Sequence, residues 1–388
     1  MRTKATSIAL TFLVCLLVTD THAQNAQKLA KLKLDLQVLI DSLQQINGFP
    51  GLTLSVILPS KQQLTLATGL ADSLTLKPME PTHRMLSGSN GKTLFTAAAL
   101  ILASQEYYNL DDKIEKFLKD EPWFYRLPNA HTITMRMLMN HTSGIEEYYG
   151  LGNFMELVKE NPSRSFEPLE TLEYVFDRAP LFPAGTDWGY ADTNFMLLGY
   201  ILEKISGKSM YSLVEKHLLK PYKMSFTEPS TSQYLSKLAT GYSRKGSPFP
   251  FEGEMVKEGL LVFNPQFEWM GGGFISNVKD LATWTKQLYN SRKIGEAMRA
   301  EMRTKVPAKT GKDHSYGLGI QIRPSMQYGD SYGHSGWFPG YLTDAVYFPK
   351  KDIAIAIQFN TDDLSQLKMA PYDYILTIAE LVANHIQE

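Results

Sequence analysis

Cysteine is almost missing from this chain. Its 388 residues include one, Cys15, inside an apolar run near the N-terminus. Beyond that run neither a disulfide nor a thiol nucleophile is available, and a chain of this size can rely on its core instead. Neither sign of charge is in excess, with 39 Lys and Arg against 40 Asp and Glu. That balance gives no footprint for nucleic acid and, without a long basic run, none for an anionic membrane surface. The eight histidines are scattered. No His-Glu-x-x-His or comparable spacing joins them, so nothing calls for a metal or another cofactor. Internal repeats and low-complexity tracts are absent too.

What is present begins with a targeting segment at residues 1–23. Arg2 and Lys4 make a basic start, Ile8 through Val18 is apolar but short for a membrane span, and Thr21-His22-Ala23 offers a small-residue cleavage site. Val14 is not the small residue that a lipoprotein signal would place before Cys15. The expectation is an exported protein, periplasmic or secreted, with no stable membrane insertion after cleavage. Residues 24–388 then form a single catalytic domain, its oligomeric state open.

Apolar positions at Leu29, Leu32, Leu36, Leu39, Ile40 and Leu43 predict an amphipathic helix closed by Asn47-Gly48. Two strands follow, 52–58 and 63–68, joined through Pro59-Ser60-Lys61. Helical patterns dominate to about residue 300, at 169–177, 193–206, 210–219 and 278–290, with long loops across 226–268. Four strands close the pattern at 316–322, 331–336, 342–348 and 353–359, before a helix at 371–386. The fold class is α/β in the broad sense and α+β in detail. Strands from both termini build one antiparallel sheet flanked by helices (about 24–80 and 300–388), and a mostly helical second lobe spans about 81–299. A ligand cleft is expected at the seam.

Three clusters carry chemistry. Ser89-x-x-Lys92 opens the alanine- and leucine-rich run Thr93 to Leu100. On a helix this spacing puts hydroxyl and amine on one face. Serine is a poor nucleophile until a neighbour takes its proton, and the helix N-terminus disfavours a charged lysine there while its N–H groups favour an oxyanion. Alone, such a motif is more often a solvated helix start. Tyr190 and Asp192 lie two apart on a turn-rich loop before a helix. They read either as a proton-shuttling phenol with a substrate-holding carboxylate, or as a core tyrosine with an N-cap. His334-Ser335-Gly336 lies on or beside a C-terminal strand whose edge can meet a substrate backbone. By itself a single histidine there is more often structural. A nucleophile elbow is ruled out, since Ser87 stands where the first glycine of Gly-x-Ser-x-Gly belongs.

In this order the clusters resemble the Ser-x-x-Lys, Tyr-x-Asn and Lys/His-Thr/Ser-Gly signature of class C β-lactamases and the related DD-peptidases and esterases of the penicillin-binding-protein fold. Asn109-Leu110-Asp111-Asp112, Leu138 to Gly144 and Gly271 to Ser276 are similar to further landmarks of that family, and the likeness covers residues 26–387. The resemblance implies a small-molecule or peptide substrate and an acyl-enzyme on Ser89. Lys92 and Tyr190 would be the proton-transfer pair. Asp192, His334, Ser335 and Gly336 would bind substrate, and the backbone N–H groups of Ser89 and Trp337 would form the oxyanion hole. His141 and Ser143 fall in a landmark taken as structural. Three positions depart from the pattern. Gly91 replaces Ser or Thr. Asp192 replaces Asn and, ionised, only accepts hydrogen bonds. His334 replaces Lys and is expected to meet a substrate carboxylate when protonated. The resemblance thus implies hydrolysis of D-amino-acid peptides, β-lactams or esters, or alternatively a penicillin-binding or sensing module that is acylated without turnover.

Overall fold

A computed structural model describes residues 3–290 and 293–387, with side chains from residue 24 to 386. The side chains of the expected targeting segment therefore lie outside the described residues. Among the described residues no helix is long and apolar enough to cross a membrane.

The first helix, α1 (Thr3–Asn47), ends where the sequence places the stop. Its fourfold-spaced Leu32, Leu36 and Ile40 are buried, because residues four apart share one face. Strands β1 (Gly51–Ile57) and β2 (Gln63–Asp72) form the expected hairpin, and β3 (Lys77–Pro78) extends it. The C-terminal half supplies β4 (Val306–Pro307), β5 (Ser315–Tyr316), β6 (Gln321–Ser325), β7 (Gly329–Phe338), β8 (Tyr341–Phe348) and β9 (Ile353–Phe359). Together they make a nine-stranded sheet in the order β4-β5-β6-β7-β8-β9-β1-β2-β3. Every pairing is antiparallel. Strands from the two ends meet where β1 lies against β9, with Leu52 opposite Phe359.

Period-two alternation sorts the two faces. Leu52, Leu54 and Val56 join Ile355, Ile357 and Phe359 in one apolar layer with α1 and the last helix, Pro371–Gln387. The small Ala354 and Ala356 face the opposite layer, and the helix Val278–Asn290 packs there against β1, β8 and β9.

The helical middle contains α2 (Gly91–Ser104), buried from Gly91 to Leu102, and α3 (Asp192–Ser206). Some expectations shift. The single strand 316–322 is two strands, because the chain turns through Gly317-Leu318-Gly319 to bond Gly319 N–H to Met139 O. The helix at 169–177 is a short helix, Pro168–Leu172, with a 3-10 turn after it. The helix at 210–219 changes at Glu215 to a π-helical turn.

Candidate active site

Ser89 lies in the 3-10 turn Gly88–Asn90 that leads directly into α2. The turn is clamped from two sides. Asn90 Nδ2 donates to His334 O at 2.7 Å. Trp284 Nε1 donates to Thr93 Oγ1 at 2.8 Å, and that hydroxyl donates to Asn90 O. Strand β7 comes so close that a Cβ on Gly336 would stand 1.9 Å from Ser87 O. Gly91, the first departure from the family pattern, has a matching reason: a Cβ there would stand 1.7 Å from Gly272 O.

Two groups converge on the hydroxyl. Tyr190 Oη donates to Ser89 Oγ at 2.8 Å, and Lys92 Nζ donates to it at 2.9 Å. Lys92 is fully buried. It also donates to Asp192 Oδ1 at 2.6 Å and to Gly271 O. Three acceptors thus stand around an amine with three possible N–H donors. Burial, and then the charge of Asp192, push the Tyr190 phenol well above its usual range, so it stays neutral.

The helix-cap reading of Asp192 is not what the structure has. Ala191 is the cap residue of α3, without a side-chain cap bond, and Asp192 is the first helical residue. Its carboxylate turns to Lys92 instead. The loop before it is held by the 138–144 landmark. The Tyr190 ring packs on His141 with centroids 4.3 Å apart, and Ala191 N–H and Asn194 Nδ2 both approach His141 Nδ1. Ser143 Oγ donates to Asn194 Oδ1 at 2.5 Å.

His334 departs from expectation. It is 1% exposed. Burial, with the Lys92 charge next, pushes its imidazole down to about 3. Its Nε2 lies 2.7 Å from Tyr316 Oη and its Nδ1 2.5 Å from Ser335 O. In the neutral ring this fits Nδ1–H as donor and Nε2 as acceptor. His141 continues the chain at 3.3 Å from Tyr316 Oη and is also held neutral by burial. A cationic His334 meeting a substrate carboxylate does not fit these surroundings, because a charge there is desolvated and faces Lys92.

Ser89, Tyr190, Asp192, His334, Ser335 and Trp337 line one cavity of about 250 Å³. Its apolar walls include Tyr149, Phe249, Phe267 and Phe338. Gly336 belongs to the clamp below rather than to the lining. Strand β6 pairs with β7 only as far as Gly333, so beyond that point the side of β7 turned toward the Ser89 turn has no strand partner. Gln321 fastens the start of this free edge. Its Oε1 accepts from Ser335 N–H at 3.1 Å, and its Nε2 donates to Ser335 Oγ at 3.0 Å.

Beyond Asp192, two carboxylates near the site were not singled out in the sequence. Glu147 accepts from Asp192 N–H at 2.5 Å and is pushed well above its usual range by burial and by Asp192. Glu268 lines the cavity and accepts from Gly273 N–H at 3.0 Å. The only signal was adjacency, since Glu147 follows one landmark by three residues and Glu268 precedes another by three.

The sheet, the helical lobe and the Ser-Lys-Tyr contact are an arrangement of the β-lactamase and penicillin-binding-protein type. The chain belongs to the family described as Beta-lactamase, whose model matches residues 36–379. It is 25% identical over 332 residues to a D-aminopeptidase of Brucella anthropi, covering 84% of this chain and 59% of the relative. It is 24% identical over 302 residues to penicillin-binding protein 4* of Bacillus subtilis, covering 72% and 61%. The chain thus spans about three-fifths of the length of these relatives. Among solved structures, a D-stereospecific amidohydrolase from Streptomyces sp. superimposes with TM-score 0.72 at 25% identity, covering 87% of this chain and 96% of the other. A D-amino acid amidase from Ochrobactrum anthropi SV3 shares the fold with TM-score 0.76 at 20% identity, covering 92% and 99%.

Proposed function

We propose that this chain is an exported hydrolase that cleaves amide or ester bonds of small substrates through an acyl-enzyme on Ser89. The observation that carries the reading is the meeting of Tyr190 Oη and Lys92 Nζ at one serine oxygen, at 2.8 and 2.9 Å. Ser89 Oγ attacks the carbonyl carbon and its proton passes to Lys92 Nζ, which reacts as the free amine, its two N–H groups on Asp192 and Gly271 and its lone pair turned to the serine, while the Tyr190 phenol keeps its proton. The N–H groups of Ser89 and Trp337 receive the charge on the carbonyl oxygen. The carbon–nitrogen or carbon–oxygen bond then breaks, and the proton leaves with the amine or alcohol. Water repeats the sequence on the acyl-enzyme and frees Ser89. The free edge of β7 runs beside the serine and suits an extended, peptide-like substrate.

Small D-amino-acid amides and peptides are the substrate class we assign, in keeping with the names of the aminopeptidase and amidohydrolase relatives. The export signal rests on residues 1–23 as read from sequence. In purified protein, Ser89→Ala should abolish turnover of simple esters and D-amino-acid amides, and with it labelling by a fluorophosphonate. Labelling that survives the substitution would falsify the assignment of the nucleophile. An adduct on Ser89 that persists for hours by mass spectrometry, without turnover, would favour a penicillin-binding module instead.

A further inference from the structure

The cavity has no cation to offer a substrate. No lysine or arginine is among its lining residues. Lys92 lies beneath it, engaged with Ser89, Asp192 and Gly271. His334 is held neutral. The acidic side chains that line the cavity are Asp192 and Glu268, and Glu147 stands behind Asp192.

Asp192 already has its counter-ion in Lys92. Glu268 does not. It is 5% exposed, and one of its oxygens accepts from Gly273 N–H. The other oxygen accepts no hydrogen bond among the described residues, and none of them forms an ion pair with Glu268. That oxygen is not among the fully buried partnerless atoms and opens onto the cavity, where a donor, best a charged one, can fill it. Beside it the walls are aromatic, with Tyr149, Phe249 and Phe267 also facing the cavity.

We infer that Glu268 anchors a substrate ammonium group, so that the site selects small amides and esters bearing a free amine next to an apolar side chain and turns away those bearing a carboxylate there. This rests on the hydrolase reading for its substrate but names a recognition residue and a charge rule beyond it. Burial and the charge of Asp192 push the Glu268 carboxyl up to about 8. An ammonium at hydrogen-bond distance offsets both causes by favouring the ionised form. The aromatic faces add attraction for the same cation. A carboxylate in that position would face Asp192 and Glu268 without any free positive partner.

The test separates binding from turnover. Ser89→Ala protein is titrated calorimetrically with phenethylamine, 2-phenylethanol and phenylacetate, which share a phenyl ring on a short chain and differ in the charge of the end group. The amine should bind about tenfold or more tightly than the alcohol or the acid, the scale of one charge-assisted hydrogen bond. Adding Glu268→Gln should bring amine and alcohol within about threefold, while Glu268→Asp, which keeps a carboxyl that the ammonium can ionise, should retain a preference for the amine. Equal or tighter binding of the acid overturns the inference, as does no amine binding, or an amine preference that persists in a folded Glu268→Gln variant. In wild type, kcat/KM for phenylalanine anilide is compared with that for its des-amino analogue. Turnover without an amine preference sinks the ammonium anchor and leaves the hydrolase standing. Amine binding without turnover of any substrate does the reverse.

Discussion

At the scale of single residues, the sequence motifs name the groups that meet, but not their charge states. Ser89, Lys92, Tyr190 and Asp192 were legible because their spacing and flanking residues carry the pattern. The neutrality of His334 was not legible. It comes from burial against Tyr316 and proximity to Lys92, both set by tertiary packing. Its folded pKa, about 3, lies below the ordinary 6.5. The sign follows from the folded state binding fewer protons. The stabilisation is complete above about pH 6.5 and is lost as pH falls toward 3. Between about pH 8 and 5 the His334 ring should therefore show no titration in an NMR experiment on labelled histidine. A midpoint near 6.5, with substrate affinity following it, would restore the cationic role that the structure denies. Glu147 and Glu268 were invisible for a different reason. A carboxylate beside a landmark reads as an ordinary surface charge until the fold buries it.

At the scale of elements, alternation and fourfold spacing located β1, β2, β8, β9, the last helix and the end of the first to within a few residues, while the first helix starts at Thr3 rather than at residue 24. Errors fell where tertiary bonds override local pattern, as in the turn between β5 and β6 that reaches Met139. The start of α2 shows how closely segments must fit. Gly91 lies against Gly272, whose neighbour Gly271 presents its carbonyl to Lys92. Gly91→Ala forces these backbones apart or distorts the Ser89 turn. The expected cost is about 1–3 kcal/mol of stability, the usual range for overpacking. Urea unfolding should show it as a lower midpoint, together with slower labelling of Ser89 by a fluorophosphonate. An unchanged midpoint and unchanged labelling would show that the two segments separate freely.

At the scale of the whole molecule, the order helix, strands, helical middle, strands, helix was readable from the sequence, and so was the union of terminal strands in one sheet. Which strands become neighbours was not, because pairing between distant strands leaves little local trace. Ending the chain after Asp352 removes β9 and the helix Pro371–Gln387. It bares the edge of β1 and the apolar face of Leu52, Leu54 and Val56. Such a fragment should be insoluble under conditions where the full chain is soluble, as exposed apolar edges associate. Sedimentation after expression decides it, and a soluble fragment with native circular dichroism would show that the sheet closes without its last strand. The same pairing sets a timetable. With Leu52 waiting for Phe359, a ribosome must deliver nearly the whole polypeptide before β1 gains its second neighbour. Through most of its synthesis β1 therefore keeps one edge open.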